Sequence, residues 1–275
     1  MTRQNSRVTR GTFCVVLTVF GTALFQALLT PMPSLFPVDS MSKYRVRSLG
    51  SLSSLKSTPS GDTSLVNSTT KIFVVGMNKS GTTTLRKVLA ELGFLVGEQS
   101  VAEELIHDWA RRNFSSLVDF IDRSGAQVFQ DVPFSLDFTY QALDMRYPGS
   151  KFILTERVSA DIWFRSIKRF HARVFTDGAE VATMADLKRH RNGWAWDVMR
   201  SAFFITDPVT QLYNKSYFED IYKRHNENVR SYFHDRPEDL LCLTVGKDGA
   251  LRDLHEFLGE PYSGGELPIQ NETPM

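Results

Sequence analysis

Lys71-Ile72-Phe73-Val74-Val75-Gly76-Met77-Asn78-Lys79-Ser80-Gly81-Thr82-Thr83-Thr84-Leu85 is the stretch that decides the fold. Its first part, Lys71–Gly76, is a short apolar run rich in β-branched residues and closed by glycine, the pattern of a buried strand. Its last part opens a segment in which Leu85, Val88, Leu89 and Leu92 recur at i, i+3, i+4 and i+7. That spacing predicts a helix over Thr82–Leu92 with one apolar face, ended by Gly93. A strand running through a glycine-bracketed loop into a helix gathers backbone N–H groups at the positive end of the helix dipole. Gly76 and Gly81 let the backbone turn and approach a ligand closely. Thr82, Thr83 and Thr84 add hydroxyl donors. The ligand this arrangement predicts is a phosphate or sulfate group.

Moving outward, three further short apolar runs read as strands: Gln127–Gln130, Lys151–Thr155 and Leu240–Val245. A helix-like segment follows each, the last from about Gly249 to Leu258. Alternation of this kind predicts an α/β fold, a parallel β-sheet flanked by helices on both faces. Residues 176–215 carry no clear period and are expected to form helices or a mobile lid. No internal repeat is present.

Composition narrows the classes. The 275 residues carry 32 Lys+Arg against 31 Asp+Glu, a net charge of +1, which argues against a general nucleic-acid binder. Cys14 and Cys242 are the only cysteines, too few for a disulfide framework or a thiolate zinc site. The N-terminus departs from the average. Gly11 to Val38 holds no charged residue, and Phe13–Leu29 is apolar apart from Thr18, Thr22 and Gln26. A membrane span needs about 17–25 residues, and Arg3, Arg7 and Arg10 favour a cytosolic N-terminal side. The expected organisation is a cytosolic tail (1–11), a transmembrane signal-anchor (12–30), a stem (31–70) and a catalytic domain (71–275). The stem contains eleven serines with Pro31, Pro33, Pro37 and Pro59, a composition that cannot bury a core. A cleaved signal peptide is the competing reading, but no small-x-small site follows the run. Sequons begin at Asn67, Asn78, Asn113, Asn214 and Asn271.

The loop is close to the Gly-x4-Gly-Lys-Ser/Thr loop of nucleoside triphosphatases, with one change of order. Thr82 stands where that loop has its lysine, and Lys79 lies two residues before the second glycine. The usual Lys–Ser/Thr pair for a γ-phosphate and Mg²⁺ is therefore missing, which disfavours a kinase or GTPase. Asn78-Lys79-Ser80-Gly81-Thr82-Thr83 instead resembles the 5′-phosphosulfate loop of sulfotransferases that use 3′-phosphoadenosine 5′-phosphosulfate (PAPS). The resemblance implies that Lys79 and the threonines hold the 5′-phosphate and the bridging oxygen to sulfur.

A second signature of that family, an Arg at a strand end and a Ser on the next helix, resembles Lys151–Arg157 followed by Asp161–Ser166. It implies Arg157 and Ser166 as ligands of the 3′-phosphate, although Ser166 lies one residue further from Arg157 than is usual. Lys247, in Gly246-Lys247-Asp248-Gly249, matches a late basic loop that closes over the 3′-phosphate. Asn271-Glu272-Thr273 resembles the tail of some members. The likeness covers 71–170 well, 235–275 loosely, and the middle not at all.

The chemistry implied is in-line transfer of a sulfuryl group to a hydroxyl or amine, with Lys79 stabilising the leaving oxygen and no metal expected. Asp131, just past the second strand in Phe129-Gln130-Asp131-Val132-Pro133, is the candidate general base; His107 is the reserve. His171 and the run Lys188-Arg189-His190-Arg191 are either solvated basic faces or attractors of an anionic acceptor. The acceptor expected is a carbohydrate or another secretory-pathway hydroxyl or amine, and the setting a single-pass type II protein, Golgi-resident, with its catalytic domain lumenal.

Overall fold

The computed structural model describes residues 70–267. The expected anchor, most of the expected stem and the Asn271 tail lie outside them. Among the described residues no helix is long and apolar enough to cross a membrane.

The chain begins with strand β1 (Ile72–Val74), helix α1 (Thr82–Glu91), short helices α2 (Gln99–Glu103) and α3 (Ile106–Ala110), and helix α4 (Ser115–Ser124). Strand β2 (Val128–Gln130), α5 (Thr139–Arg146), β3 (Lys151–Glu156) and the long α6 (Ala160–Phe175) follow. Then come α7 (Met184–Arg189), a 3₁₀ segment at His190–Gly193, α8 (Trp194–Ala202), α9 (Pro208–Gln211) and α10 (Lys215–Tyr232). Strand β4 (Leu240–Thr244) and α11 (Ala250–Leu258) complete the fold. All four expected strands and the helix after the first glycine loop are present, with ends shifted by a residue or two.

Every strand pairing is parallel, in the order β2-β1-β3-β4. Phe73 on β1 stands level with Phe129 on one side and Phe152 on the other. Alternation along β1 sends side chains to opposite faces. Phe73 and Val75 pack with Leu117, Ile121, Leu143 and Phe233 from α4, α5 and the end of α10. Ile72 and Val74 pack with Leu85, Leu89 and Leu254 from α1 and α11. Both faces of the sheet are thus covered, as a parallel sheet requires.

A third core lies at the carboxyl edge, where Met77, Trp163, Ile167, Val198, Phe203 and Phe218 are buried together. Part of it comes from the stretch without a clear period, residues 176–215. Residues 184–202 form helices α7 and α8, with Leu187, Ala195 and Met199 buried in that core.

The strand order also places the ligand crevice. Chain leaving β1 goes to β2 on one side, and β3 lies on the other, so the connections diverge between β1 and β3. Ligands of open α/β sheets bind at such a switch point, outside the carboxyl ends of the strands.

Candidate active site

The loop after β1 is shaped by the strand beside it. A Cβ on Gly76 would lie 2.2 Å from Thr155 Oγ1 and 2.4 Å from the Thr155 carbonyl oxygen, so only glycine fits there. Gly81 has φ 119°, and a Cβ there would meet Val245 Cγ2 at 2.3 Å. These two close approaches draw the loop down onto β3 and the end of β4. Ser80 completes the fastening: its hydroxyl shares a 2.6 Å hydrogen bond with Thr155 Oγ1 and lies 2.6 Å from the Met77 carbonyl. Its amide donates to the same carbonyl at 3.0 Å. Ser80 is fully buried and does not line the cavity. Its part is to hold the loop, which corrects the expectation that its own groups face a ligand.

The other loop residues do face the cavity. Asn78, Lys79, Gly81, Thr82, Thr83 and Thr84 line a space of about 290 Å³. The first bond of α1 runs from the Leu85 amide to the Gly81 carbonyl at 3.1 Å, and no side chain caps this helix. The amides of Thr82, Thr83 and Thr84 precede that bond and belong to the donors a helix leaves unsatisfied at its N-terminus. Lys79 itself sits at φ 70°, a left-handed conformation unusual for a side-chain-bearing residue.

Arg157, one residue past β3, joins this loop. Its Nε donates to the Lys79 carbonyl at 2.9 Å, and its amide donates to the Tyr222 hydroxyl at 2.9 Å. Tyr222 stacks on Trp163 with ring centroids 4.4 Å apart, and Trp163 Nε1 donates to the Asn78 carbonyl at 2.9 Å. One buried ring pair therefore steadies both the loop and the arginine. Neither Trp163 nor Tyr222 carries a signal along the chain that assigns it to the site, since each reads as an apolar-face residue of its helix.

Electrostatically the cavity floor is cationic. Burial lowers the Lys79 pKa below the usual lysine value, and Arg157 and Arg173 lower it further, with Asp131 opposing. Burial likewise lowers that of Arg157. Three cations crowd one small space. A bound anion would relieve that repulsion, and the uncapped amides beside them supply its hydrogen bonds. The residues therefore fit the phosphosulfate end of PAPS.

Asp131 lies at the carboxyl end of β2 with φ 61° and lines the same cavity. Burial pushes its carboxyl up to about 6, against the pull of the Val132 N–H, while Glu103 adds to the rise and Lys79 opposes it. A carboxyl poised there can hold or release a proton near neutrality. His171 is not on a solvated face. It is buried against the cavity, shares a 2.9 Å hydrogen bond with the Tyr213 hydroxyl, and is pushed down to about 3 by burial and by Lys79. It is neutral at pH 7. His107 stays outside the cavity, largely exposed and 3.7 Å from Asp197, so it does not serve as the reserve base.

Two expected residues fall elsewhere. Lys247 is exposed and lines a separate hollow with Arg157, Arg230 and Thr244, so Arg157 faces both spaces. Arg230 is paired with Glu156; it enters this hollow from α10, far away in sequence. Ser166 is half-buried on α6 and lines neither space, although Phe170 and Arg173, one and two turns later, do line the cavity. In the basic run, Arg191 is matched by Glu103 at 2.5 Å and by Glu104, and Arg189 by Asp186 at 2.6 Å. Asn78, whose sequon was noted, has its Oδ1 occupied by the Ser135 hydroxyl at 3.0 Å inside the loop.

A family profile described as a sulfotransferase domain matches residues 71–274. No curated protein matches the chain. The profile covers the sheet, the glycine loop, both cationic strand ends and the helical wall between them, so the chain belongs to the sulfotransferase family, with its P-loop fold, and is a transferase.

Proposed function

We propose that the protein transfers a sulfuryl group from PAPS to a hydroxyl or amine of an acceptor by in-line displacement. The observation that carries this is the meeting of Lys79 and Arg157 over the uncapped start of α1, in one cavity. Asn78, Lys79 and the amides of Gly81 to Thr84 would hold the donor's 5′-phosphosulfate. Arg157 and Lys247, with Arg230 beside them, form the side that would take the 3′-phosphate. PAPS supplies the activated sulfur–oxygen bond. Lys79 Nζ stabilises charge gathering on the bridging oxygen, and Asp131 accepts the proton of the attacking group.

The reading has a topological part as well. Residues 1–11, 12–30 and 31–70 would serve as tail, signal-anchor and stem, holding domain 71–275 in the Golgi lumen. Protection of the domain from added protease in sealed microsomes is the expected result, and digestion would overturn this part alone. Of the acceptor expectation, the hydroxyl or amine carries over. A carbohydrate is less favoured, because rings and aliphatic groups (Phe170, Phe175, Trp194, Val198, Met199) share the wall opposite the loop with Glu103, Arg173, His190 and Arg191.

Thermal-shift titration tests the donor assignment. Stabilisation by 3′-phosphoadenosine 5′-phosphate without Mg²⁺ is expected, and stabilisation only by ATP with Mg²⁺ would favour a nucleoside-triphosphate enzyme.

A further inference from the structure

The cavity holds more than the cationic floor. From Lys79 outward, rings follow one another along α6. Lys79 Nζ sits 4.2 Å from the centroid of Phe170. His171 and Phe175 are 5.1 Å apart, and Phe175 is 4.8 Å from His190 on the 3₁₀ segment. Facing them, α8 turns Trp194, Ala195, Val198 and Met199 into the same space, positions i, i+1, i+4 and i+5 on one side of the helix. Arg191 lies on Glu103 and Glu104, and over the Trp194 ring at 4.3 Å, while Arg173 lies over the Phe170 ring at 5.8 Å. Trp194 Nε1 already donates to the Glu103 carbonyl at 2.9 Å. Glu103, Arg191 and the Trp194 N–H already have partners here, and each sugar hydroxyl buried without one would weaken binding. At about 290 Å³ the space lies at the low end for ligand sites, and the sulfuryl group must share it.

We propose that the slot between α6 and α8 is the acceptor subsite and that it takes a compact aromatic alcohol, a phenol ring lying between the two walls with its hydroxyl toward Lys79 and Asp131. This rests on the donor reading above. Flat rings on one side and an apolar stripe on the other suit stacking and burial of an aromatic face. In the transfer, the phenolic oxygen forms a bond to sulfur as the bond from sulfur to the bridging oxygen breaks. The electron pair leaves with the bridging oxygen, beside Lys79, and the phenolic proton passes to Asp131. A carboxylate whose partner acid is a phenol needs only a modest basicity, and Asp131 is raised toward that range.

The phenol could come as a small molecule or as a tyrosyl side chain, and the same assay separates them. The full chain is incubated with PAPS and, in parallel arms, with 2-naphthol, a tyrosine-containing peptide, a neutral disaccharide and cyclohexanol. Binding of 3′-phosphoadenosine 5′-phosphate is measured by thermal shift. The naphthol is expected to exceed the disaccharide and cyclohexanol by about tenfold or more in kcat/KM. Equal or better use of the peptide keeps the phenol class and assigns its source to protein. Val198→Phe, which fills the slot, should raise the acceptor KM about tenfold while leaving the nucleotide shift in place. Phe175→Leu, which removes a half-buried ring from the wall, should lower kcat/KM for the naphthol relative to cyclohexanol, so that the proposal does not depend on the fold tolerating Val198→Phe. Nucleotide binding with preferred turnover of the disaccharide or cyclohexanol, or slot variants that leave the acceptor KM unchanged, would overturn the subsite. Absence of any nucleotide shift would overturn the donor reading itself, and the subsite with it.

Discussion

The two halves of the cavity differ in how they are made. The floor, residues 76–84, is one continuous run of chain: a strand end, two glycines and a helix start, pressed against Thr155 and Val245. The wall, formed by α6, the 3₁₀ segment and α8, is assembled from parts distant in sequence, with Arg191 reaching Glu103 and Trp194 reaching the same residue's carbonyl. If each half has one task, floor variants should impair transfer to every acceptor, and wall variants should change only which acceptor is used.

The largest expected effect is at Asp131, the strand-end carboxyl between them. Asp131→Asn should lower kcat by about 10²–10⁴, the usual worth of a positioned base. The pH profile supplies the sign. Asp131 is neutral in the folded protein below about 6, so kcat/KM should rise with pH through that value and flatten above it. Folding stability should run the other way. Between the ordinary 3.8 and about 6 the unfolded chain has released a proton that the native state keeps, so stability falls across that window as pH rises. A variant that keeps the acidic limb would remove Asp131 from the chemistry.

Next is Lys79→Ala, expected to cost about 10²–10³ in kcat by loss of charge stabilisation at the leaving oxygen. Its effect should be the same for naphthol and for a tyrosyl peptide. A loss that depended on the acceptor would break the division between floor and wall. Arg157→Lys comes third. It removes the Nε donor to the Lys79 carbonyl and the flat guanidinium that faces both hollows. Weakening of 3′-phosphoadenosine 5′-phosphate binding by about tenfold, seen by calorimetry, is the expected result.

This difference between local and assembled structure also explains what the sequence could tell. The run Lys71–Leu85 specifies strand, turn and helix by period and glycine placement, signals confined to neighbours. The four strands were legible for the same reason, and the crevice between β1 and β3 brings Lys79 and Arg157 together as the motifs implied. Asp131 was legible as a strand-end carboxylate. His171 was not legible as buried, because a histidine amid Lys168, Arg169 and Arg173 looks solvated until Tyr213, forty-two positions later, covers it. Arg230 and Tyr222 share that difficulty: both come from α10, and nothing along α10 marks which of its polar groups turn toward β3. Ser80 shows a subtler limit. The motif names it correctly as a loop residue, but only the approach of Thr155 shows that its hydroxyl is spent inside the fold.

The smallest effects are those at two serines, one in the floor and one on the helix that carries the ring wall. Ser80→Ala and Ser166→Ala each delete one hydroxyl from a residue that motif reading assigns to donor binding. Ser80 has two buried partners, so its loss leaves Thr155 and the Met77 carbonyl short of a bond, at about 1–3 kcal/mol of stability. A lowered Tm with weakened nucleotide binding is expected, because the loop it pins is the one that holds the anion. Ser166 lines neither hollow. Its replacement should change nucleotide affinity by no more than about twofold, the scale of a substitution away from any special feature. Should Ser166→Ala instead weaken 3′-phosphoadenosine 5′-phosphate while sparing adenosine 5′-phosphate, the hydroxyl reaches the 3′-phosphate when nucleotide binds. That result would require α6 to shift on binding, and the ring wall it carries would shift with it. Floor and wall would then be coupled through a single helix, and the separation of their tasks would fail at that point.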